Sequence, residues 1–166
     1  LPALNRALSL KRSEGFSRTV VVATDGYVDV EPQAFDIIRQ HLGEANLFPF
    51  GIGTSVNRHL IEGMARVGMG EPFVVTNRDE ARERADEFRK YIQSPVLTSI
   101  RLDFGGFEAY DVEPAAVPDL FAERPIIVFG KWRGEPKGRI RLTGVGARGD
   151  YEDTLDAAQV TAQDGN

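Results

Sequence analysis

The sequence predicts an α/β fold, a partial doubly wound parallel sheet followed by an antiparallel β-sandwich-like region. Helical and strand-like patterns alternate as far as residue 93, which is typical of parallel strands joined by helices. The first apolar strand, at 18–24, is followed directly by an acidic residue and a glycine. After residue 95 the pattern changes to period-two alternation between turns rich in glycine and proline.

The first half of the chain predicts the order α-β-α-β-α-β-α. Apolar residues at helical spacing predict four helices, at about 2–12, 32–42, 56–67 and 77–93. Apolar runs predict three strands, at 18–24, 47–52 and 72–76. Such an order predicts a parallel sheet with right-handed crossovers.

Three local features refine this prediction. Pro49 has no N–H, so we expect a bulge or loose pairing within the second strand. Ser55 or Asn57 can cap the third helix, and Asn77 with Glu80 forms a capping-box pattern before the fourth. The fourth helix is expected to bury one apolar face, formed by Ala81, Ala85, Phe88 and Ile92.

The sequence divides into three predicted parts. Residues 1–95 form the α/β half-domain, 96–149 an antiparallel region with strands near 99–104, 125–130 and 139–143, and 150–166 an acidic tail. The tail carries five acidic residues and no Lys or Arg, so it accounts for the whole net charge of -5. We expect it to be a solvated terminus.

Composition excludes several classes of function. The chain has no cysteine, so disulfides, thiolate metal sites and cysteine nucleophiles are absent. Its bases form no cluster typical of nucleic-acid binding, and no apolar run predicts insertion into a membrane. Because the chain begins with Leu1 and Pro2 rather than an initiator Met, we expect it to be a piece of a longer protein.

Asp25 is the candidate site residue. It follows the apolar strand at 18–24, and open α/β sheets bind ligands at the carboxyl ends of their strands. Segment 21–26 (VVATDG), segment 50–53 (FGIG) and segment 57–65 together resemble the second half of a von Willebrand factor A domain. Segments 94–100 and 118–125 resemble the region after that domain in inter-alpha-trypsin-inhibitor heavy-chain-like proteins, which carry a VIT domain upstream.

This resemblance implies a metal-ion-dependent adhesion site. In that family an Asp-x-Ser-x-Ser loop, a Thr loop and an Asp after the fourth strand hold Mg²⁺, or Mn²⁺ or Ca²⁺ in its place. Only the last of these maps onto this chain, at Asp25, and the Asp-x-Ser-x-Ser motif is absent. The resemblance therefore implies a cation-dependent, protein-binding module that grips an acidic group of a protein ligand in an extracytoplasmic or cell-surface setting. In this chain we expect the metal site to be incomplete.

Two alternatives stay open at this point. The region could be a structural scaffold without a metal function, or a phosphatase-like enzyme that uses Asp25. The second alternative requires another Asp two residues later, where this chain has Tyr27, so we predict no enzyme. His41 and His59 stand alone, and Gly51-x-Gly53 lacks the lysine of a phosphate loop.

The strand at 18–24 also predicts a partner. In the resembled fold it lies next to the first strand, which this chain lacks, and its apolar edge carries no Lys or Pro. We therefore expect this edge to pair with the upstream half of the same protein or with a second copy. The antiparallel region is likewise expected to be an incomplete sandwich.

Overall fold

A computed structural model gives the fold of residues 1–11, 13, 16–25, 31–93, 95–121 and 125–159. Four helices and three strands make up the first half: α1 (Pro2–Leu8), β1 (Thr19–Thr24), α2 (Glu31–Gln40), β2 (Asn46–Ile52), α3 (Arg58–Val67), β3 (Phe73–Val75) and α4 (Arg78–Ile92). The predicted alternation is confirmed. None of the helices in these ranges has the length and apolar character needed to cross a membrane.

The three strands form a parallel sheet in the order β1-β2-β3. This confirms the predicted α/β fold with a parallel sheet. Within the described residues β1 is an edge strand, and the Val21 side chain on it is 49% exposed. Pairing of this edge with an upstream segment or with a second copy stays a prediction.

The expected irregularity at Pro49 is wrong. The register of β1 and β2 runs without a shift from Thr19 opposite Asn46 to Thr24 opposite Gly51. β3 pairs with β2 only from Phe50 onward, so Pro49 has a neighbouring strand on one side in the described structure. The Asn46 amide donates to the Arg18 carbonyl on the β1 side, so alternation turns the Pro49 nitrogen to the other side. The N–H that Pro49 lacks therefore leaves no bond to β1 unmade.

Helices α2 and α3 pack on the sheet through apolar faces. Asn57, one of the two proposed caps, begins α3 by accepting a hydrogen bond from the Leu60 amide at 3.0 Å. The helix ends at Gly68, as predicted. The core between helices and sheet comprises Leu8, Ala34, Ile38, Ala45, Leu47, Leu60, Ile61 and Met64.

The prediction for α4 is only partly right, because Ala81 and Ala85 are exposed. The apolar contacts of this helix come from its C-terminal part, where Phe88, Tyr91 and Ile92 pack against the aromatic core. β3 has only three residues, so it offers the N-terminal half of α4 little sheet to cover.

The second half is antiparallel, as predicted. Its strands are β4 (Pro95–Asp103), β5 (Ala109–Glu113), β6 (Leu120–Phe121), β7 (Phe129–Trp132), β8 (Arg139–Gly146) and β9 (Gly149–Asp156), followed by a 3₁₀ turn, Ala157–Gln159. One sheet has the order β6-β4-β8-β9, and β5 and β7 form a separate two-stranded sheet. β4 begins at the predicted boundary, but the division into domains stays a prediction.

The first part of the predicted acidic tail, 150–166, is more ordered than expected, and residues 160–166 lie outside the described residues. Instead of a solvated terminus, Gly149–Asp156 is a strand paired with β8 along its whole length. Gly149 has a φ of +104°, which suits the tight turn that returns the chain from β8. The register places Asp156 opposite Arg139, an opposite-charge pair that favours this pairing. All but the last residue of β9 remain exposed.

Buried polar groups and an aromatic side chain join the two halves. The Asn46 side-chain amide at the start of β2 donates to the Asp119 carbonyl at 2.7 Å. The Asp119 carboxylate in turn accepts from the Ser99 amide in β4 at 3.1 Å. Phe121 of β6 packs against Phe48 of β2. The halves therefore pack together.

Gly70 provides a test of the close approach between the segment after α3 and the backbone of β2. A Cβ at this position would lie 1.7 Å from the Leu47 carbonyl oxygen, which is backbone and has little freedom to move. We expect Gly70→Ala to lower the free energy of unfolding by about 3 kcal/mol. Gly130→Ala, where the nearest atom is 3.4 Å away, is the control and should change it by less than about 0.5 kcal/mol. Equal urea midpoints for the two variants would contradict the close approach of Gly70 to β2.

Candidate functional site at the carboxyl edge of the parallel sheet

Asp25 lies at the carboxyl edge of the sheet, where the sequence places it. It follows β1 directly and is exposed. The Asp25 carbonyl oxygen is 4.0 Å from the position that a Cβ would take at Gly53, the residue after β2. The ends of two parallel strands therefore meet at this edge, and an acidic residue is accessible from solvent there.

The two glycines at the end of β2 form the turn into α3. The Gly53 amide donates to the Val75 carbonyl at 2.7 Å, and Gly53 has a φ of +103°. A Cβ at Gly51 would lie 2.4 Å from the Val56 side chain. Close packing explains Gly51 and a left-handed backbone explains Gly53.

A second acidic group near this edge is held by a helix cap. Glu31 begins α2, and its carboxylate accepts a hydrogen bond from the Asn57 side-chain amide at 2.6 Å. The Asn57 oxygen meanwhile caps α3 through the Leu60 amide. Asn57 thus ties the starts of two helices together.

A third acidic group, Glu80, is hydrogen-bonded to the end of β3. Its amide donates to the Asn77 side chain at 3.0 Å, which confirms half of the predicted capping box. Its carboxylate accepts instead from Thr76, from the hydroxyl at 2.9 Å and the amide at 3.2 Å. These bonds stabilise the carboxylate and lower the pKa of Glu80.

The described residues do not by themselves form a complete cation site. Mg²⁺ takes about six oxygen ligands in octahedral array. Within the described ranges no group of three or more His, Cys, Asp or Glu side chains could hold a metal ion. Asp25 supplies one exposed carboxylate, while Glu31 and Glu80 are engaged in hydrogen bonds. Tyr27 and Asp29, in the loop after Asp25, lie outside the described residues.

The isolated histidines and the tryptophan have structural contacts. His41 Nδ1 donates to the Ile37 carbonyl at 2.9 Å at the end of α2. His59 contacts the Phe35 ring edge-on, with centroids 6.4 Å apart. Trp132 stacks on Phe107 at the same centroid distance. These contacts give all three side chains structural roles.

The sequence is similar to parts of several known proteins. No family model matches the sequence. A von Willebrand factor A domain-containing protein of Dictyostelium discoideum is 23% identical over 129 residues, 78% of this chain and 14% of that protein. Human protein mono-ADP-ribosyltransferase PARP4 is 26% identical over 131 residues, 75% of this chain and 8% of that protein. The chain thus spans less than a fifth of these relatives.

A solved structure shares the fold. The crystal structure of the ArnB paralog VWA2 from Sulfolobus acidocaldarius matches with a TM-score of 0.50 and 16% identity, covering 84% of this chain and 40% of that one. This chain therefore shares an α/β fold with that structure. The sequence similarities to von Willebrand factor A domain-containing proteins support a relation to that family. The narrower resemblance to inter-alpha-trypsin-inhibitor heavy chains and VIT proteins stays a prediction. The PARP4 match covers too little of that protein to carry its catalytic activity over.

The Thr76–Glu80 contact predicts a dependence on pH. Because the pKa of Glu80 is lowered in the folded state, its contribution to stability is present above the ordinary glutamate pKa and is lost as the pH falls through the lowered value. Thr76→Val removes the hydroxyl donor, so we expect the pKa of Glu80 to rise toward its ordinary value, measured by NMR titration of the side-chain carboxyl. The acid dependence of stability should become shallower.

Thr98→Val is the matched control for this prediction. The Thr98 hydroxyl donates to the Val145 carbonyl at 3.2 Å rather than to a carboxylate. Its removal should leave the pKa of Glu80 unchanged. An unaltered Glu80 titration in Thr76→Val would contradict the assigned cause of the lowered pKa.

Proposed function

We propose that this chain belongs to a protein-interaction module of the adhesion type, in which Asp25 provides one ligand to a divalent cation, Mg²⁺ or Mn²⁺ or Ca²⁺ in its place. The observation that carries this proposal is the exposed acidic residue at the carboxyl edge of a sheet with the von Willebrand factor A fold. The similarity to von Willebrand factor A domain-containing proteins supports the interaction class. The whole protein's partner is proposed to be a protein that presents an acidic group.

The role of Asp25 follows from its place directly after a strand. The strand before it is paired with β2 along its whole length, so Asp25 leaves a supported strand end beside the turn at Gly53. A bound divalent cation would supply an open coordination position for a carboxylate of the partner. The remaining ligands are proposed to come from outside the described residues.

A second candidate is a scaffold whose interactions do not require a metal. The observation that favours it is the lack of a group of three potential metal ligands in the part of the chain that the structure covers. The two candidates differ in whether divalent cations and Asp25 affect partner binding. One set of variants therefore separates them.

The test uses the whole protein and the variant Asp25→Ala. We expect proteins captured by the wild type in Mg²⁺ to be lost both in EDTA and in Asp25→Ala, because each removes part of the same cation site. Asp79→Ala, an exposed acid on α4, is the control and should retain them. Circular dichroism should show that Asp25→Ala keeps its fold, since the side chain is exposed.

A calorimetric titration completes this test. Residues 1–166 alone are expected to bind Mg²⁺ with a Kd of about 1 mM or weaker, because a single carboxylate is a poor site. Micromolar affinity that depends on Asp25 would show that the site is complete and contradict the ligand count. Capture that is indifferent to EDTA and to Asp25→Ala would overturn the cation-dependent proposal in favour of the scaffold.

A further inference from the structure

The antiparallel region carries an open groove that the proposed function does not use. It has a volume of about 610 Å³ and lies between the large sheet and the two-stranded sheet. Apolar side chains form its walls: Leu102, Ile140, Leu142 and Leu155 from the large sheet, and Val112 and Phe129 from the small one. Phe129 is 72% exposed and Leu155 is 53% exposed. Such side chains favour a covering partner.

The edge strand β9 borders this groove. In the described structure β9 has β8 on one side and no strand on the other. The Ala157 amide donates to the Gly138 carbonyl at 3.0 Å, so residues 138 and 157 are a hydrogen-bonded pair at the end of the β8–β9 pairing. Because bonded and non-bonded pairs alternate, the backbone groups of residues 150, 152, 154 and 156 point away from β8. The Thr154 amide already donates to the Asp153 carboxylate at 2.8 Å. The other groups form an edge to which a strand can be added.

The charges on β9 select the kind of strand. Alternation puts Asp150, Glu152 and Asp156 on one face, and Asp153 and Leu155 on the face that lines the groove. No Lys or Arg occurs in β9. A second copy paired through the same edge would place acidic residues against acidic residues, so self-pairing is disfavoured.

We propose that β9 and the apolar groove bind an extended segment of a partner protein in which Lys or Arg alternates with apolar residues. The partner's backbone would bond the free edge of β9, its basic side chains would face Asp150 and Glu152, and its apolar side chains would cover the groove. β8 shows the same chemistry on the other side of β9, since it reads Arg139-Ile140-Arg141-Leu142. This site goes beyond the proposed function and does not involve Asp25.

The probe is a labelled synthetic peptide, Arg-Ile-Arg-Val-Arg-Ile-Arg, titrated with the whole protein in EDTA and followed by fluorescence anisotropy. A second peptide has Glu in place of every Arg. We expect saturable binding of the basic peptide and at least about tenfold weaker binding of the acidic one. Because EDTA is present throughout, the result does not depend on whether the cation proposal is right.

Variants of the protein locate the binding. The double variant Asp150→Lys with Glu152→Lys should weaken the basic peptide about tenfold and strengthen the acidic one. The matched control, Glu62→Lys with Glu83→Lys, makes the same charge change at exposed positions on α3 and α4. It should alter binding less than about twofold in salt of about 0.15 M, where distant charges are screened. Phe129→Ser should weaken both peptides by removing apolar area from the groove.

Three results would overturn the proposal. The first is no saturable binding of the basic peptide to the wild-type protein, which is the result expected if an upstream segment of the same protein covers the groove. The second is equal loss in the β9 variant and its control, which would show general electrostatic attraction. The third is unchanged affinity in Phe129→Ser, which would show that the groove takes no part.

Discussion

The aromatic cluster around Phe48 is the packing interaction on which the rest of the structure depends. Phe48 is fully buried in the central strand of the parallel sheet. Its ring meets Phe88 and Tyr91 of α4 edge-on at 5.3 and 5.4 Å, and Phe121 of β6 at 6.0 Å. Phe50 and Phe73 extend the cluster along β2 and β3 by stacking at 4.6 Å. The Phe48 side chain thus contacts both α4 of the first half and β6 of the second half.

This arrangement sets what each edge of the molecule can do. Side chains of α4 and β6 pack against Phe48 and hold β2 in place. Because β1 pairs with β2, this packing also positions β1 and the exposed Asp25 that follows it. The other acidic side chains near the strand ends are held in hydrogen bonds, Glu31 with Asn57 and Glu80 with Thr76. The open edges of β1 and β9 lie on separate sheets. Their chemistry differs, because β1 is apolar and β9 is acidic.

The sequence predicted best those features that depend on local pattern. Helical spacing located α3 and its buried face, and the apolar run with its acidic end located β1 and Asp25. Two short strands, β5 and β6, were not predicted, because a strand of two to five residues is defined by its partner rather than by its own residues. The strand β9 was not predicted for the same reason. Its acidic sequence has no strand pattern of its own, and it is a strand because it pairs with β8.

The candidate site was predicted in position but not in its surroundings. A strand-end pattern is local, so Asp25 could be identified from neighbouring residues. The Glu31–Asn57 contact joins residues 26 apart in the sequence, and no spacing rule predicts it. The cap at Asn57 was one of two options that the sequence offered. The exposure of Ala81 and Ala85 depends on how far the sheet extends beneath α4, which helical periodicity does not encode.

Cooperative unfolding tests the central role of the Phe48 cluster most directly. Trp132 is the single tryptophan and lies in β7, so its fluorescence reports the second half, while hydrogen exchange of β2 amides reports the first. The two probes should give the same free energy of opening in the wild type, and Phe121→Leu should lower both equally, with Phe129→Leu as the exposed control. If Phe121→Leu lowers the stability reported by Trp132 and leaves the exchange of β2 unchanged, the cluster does not couple the two halves.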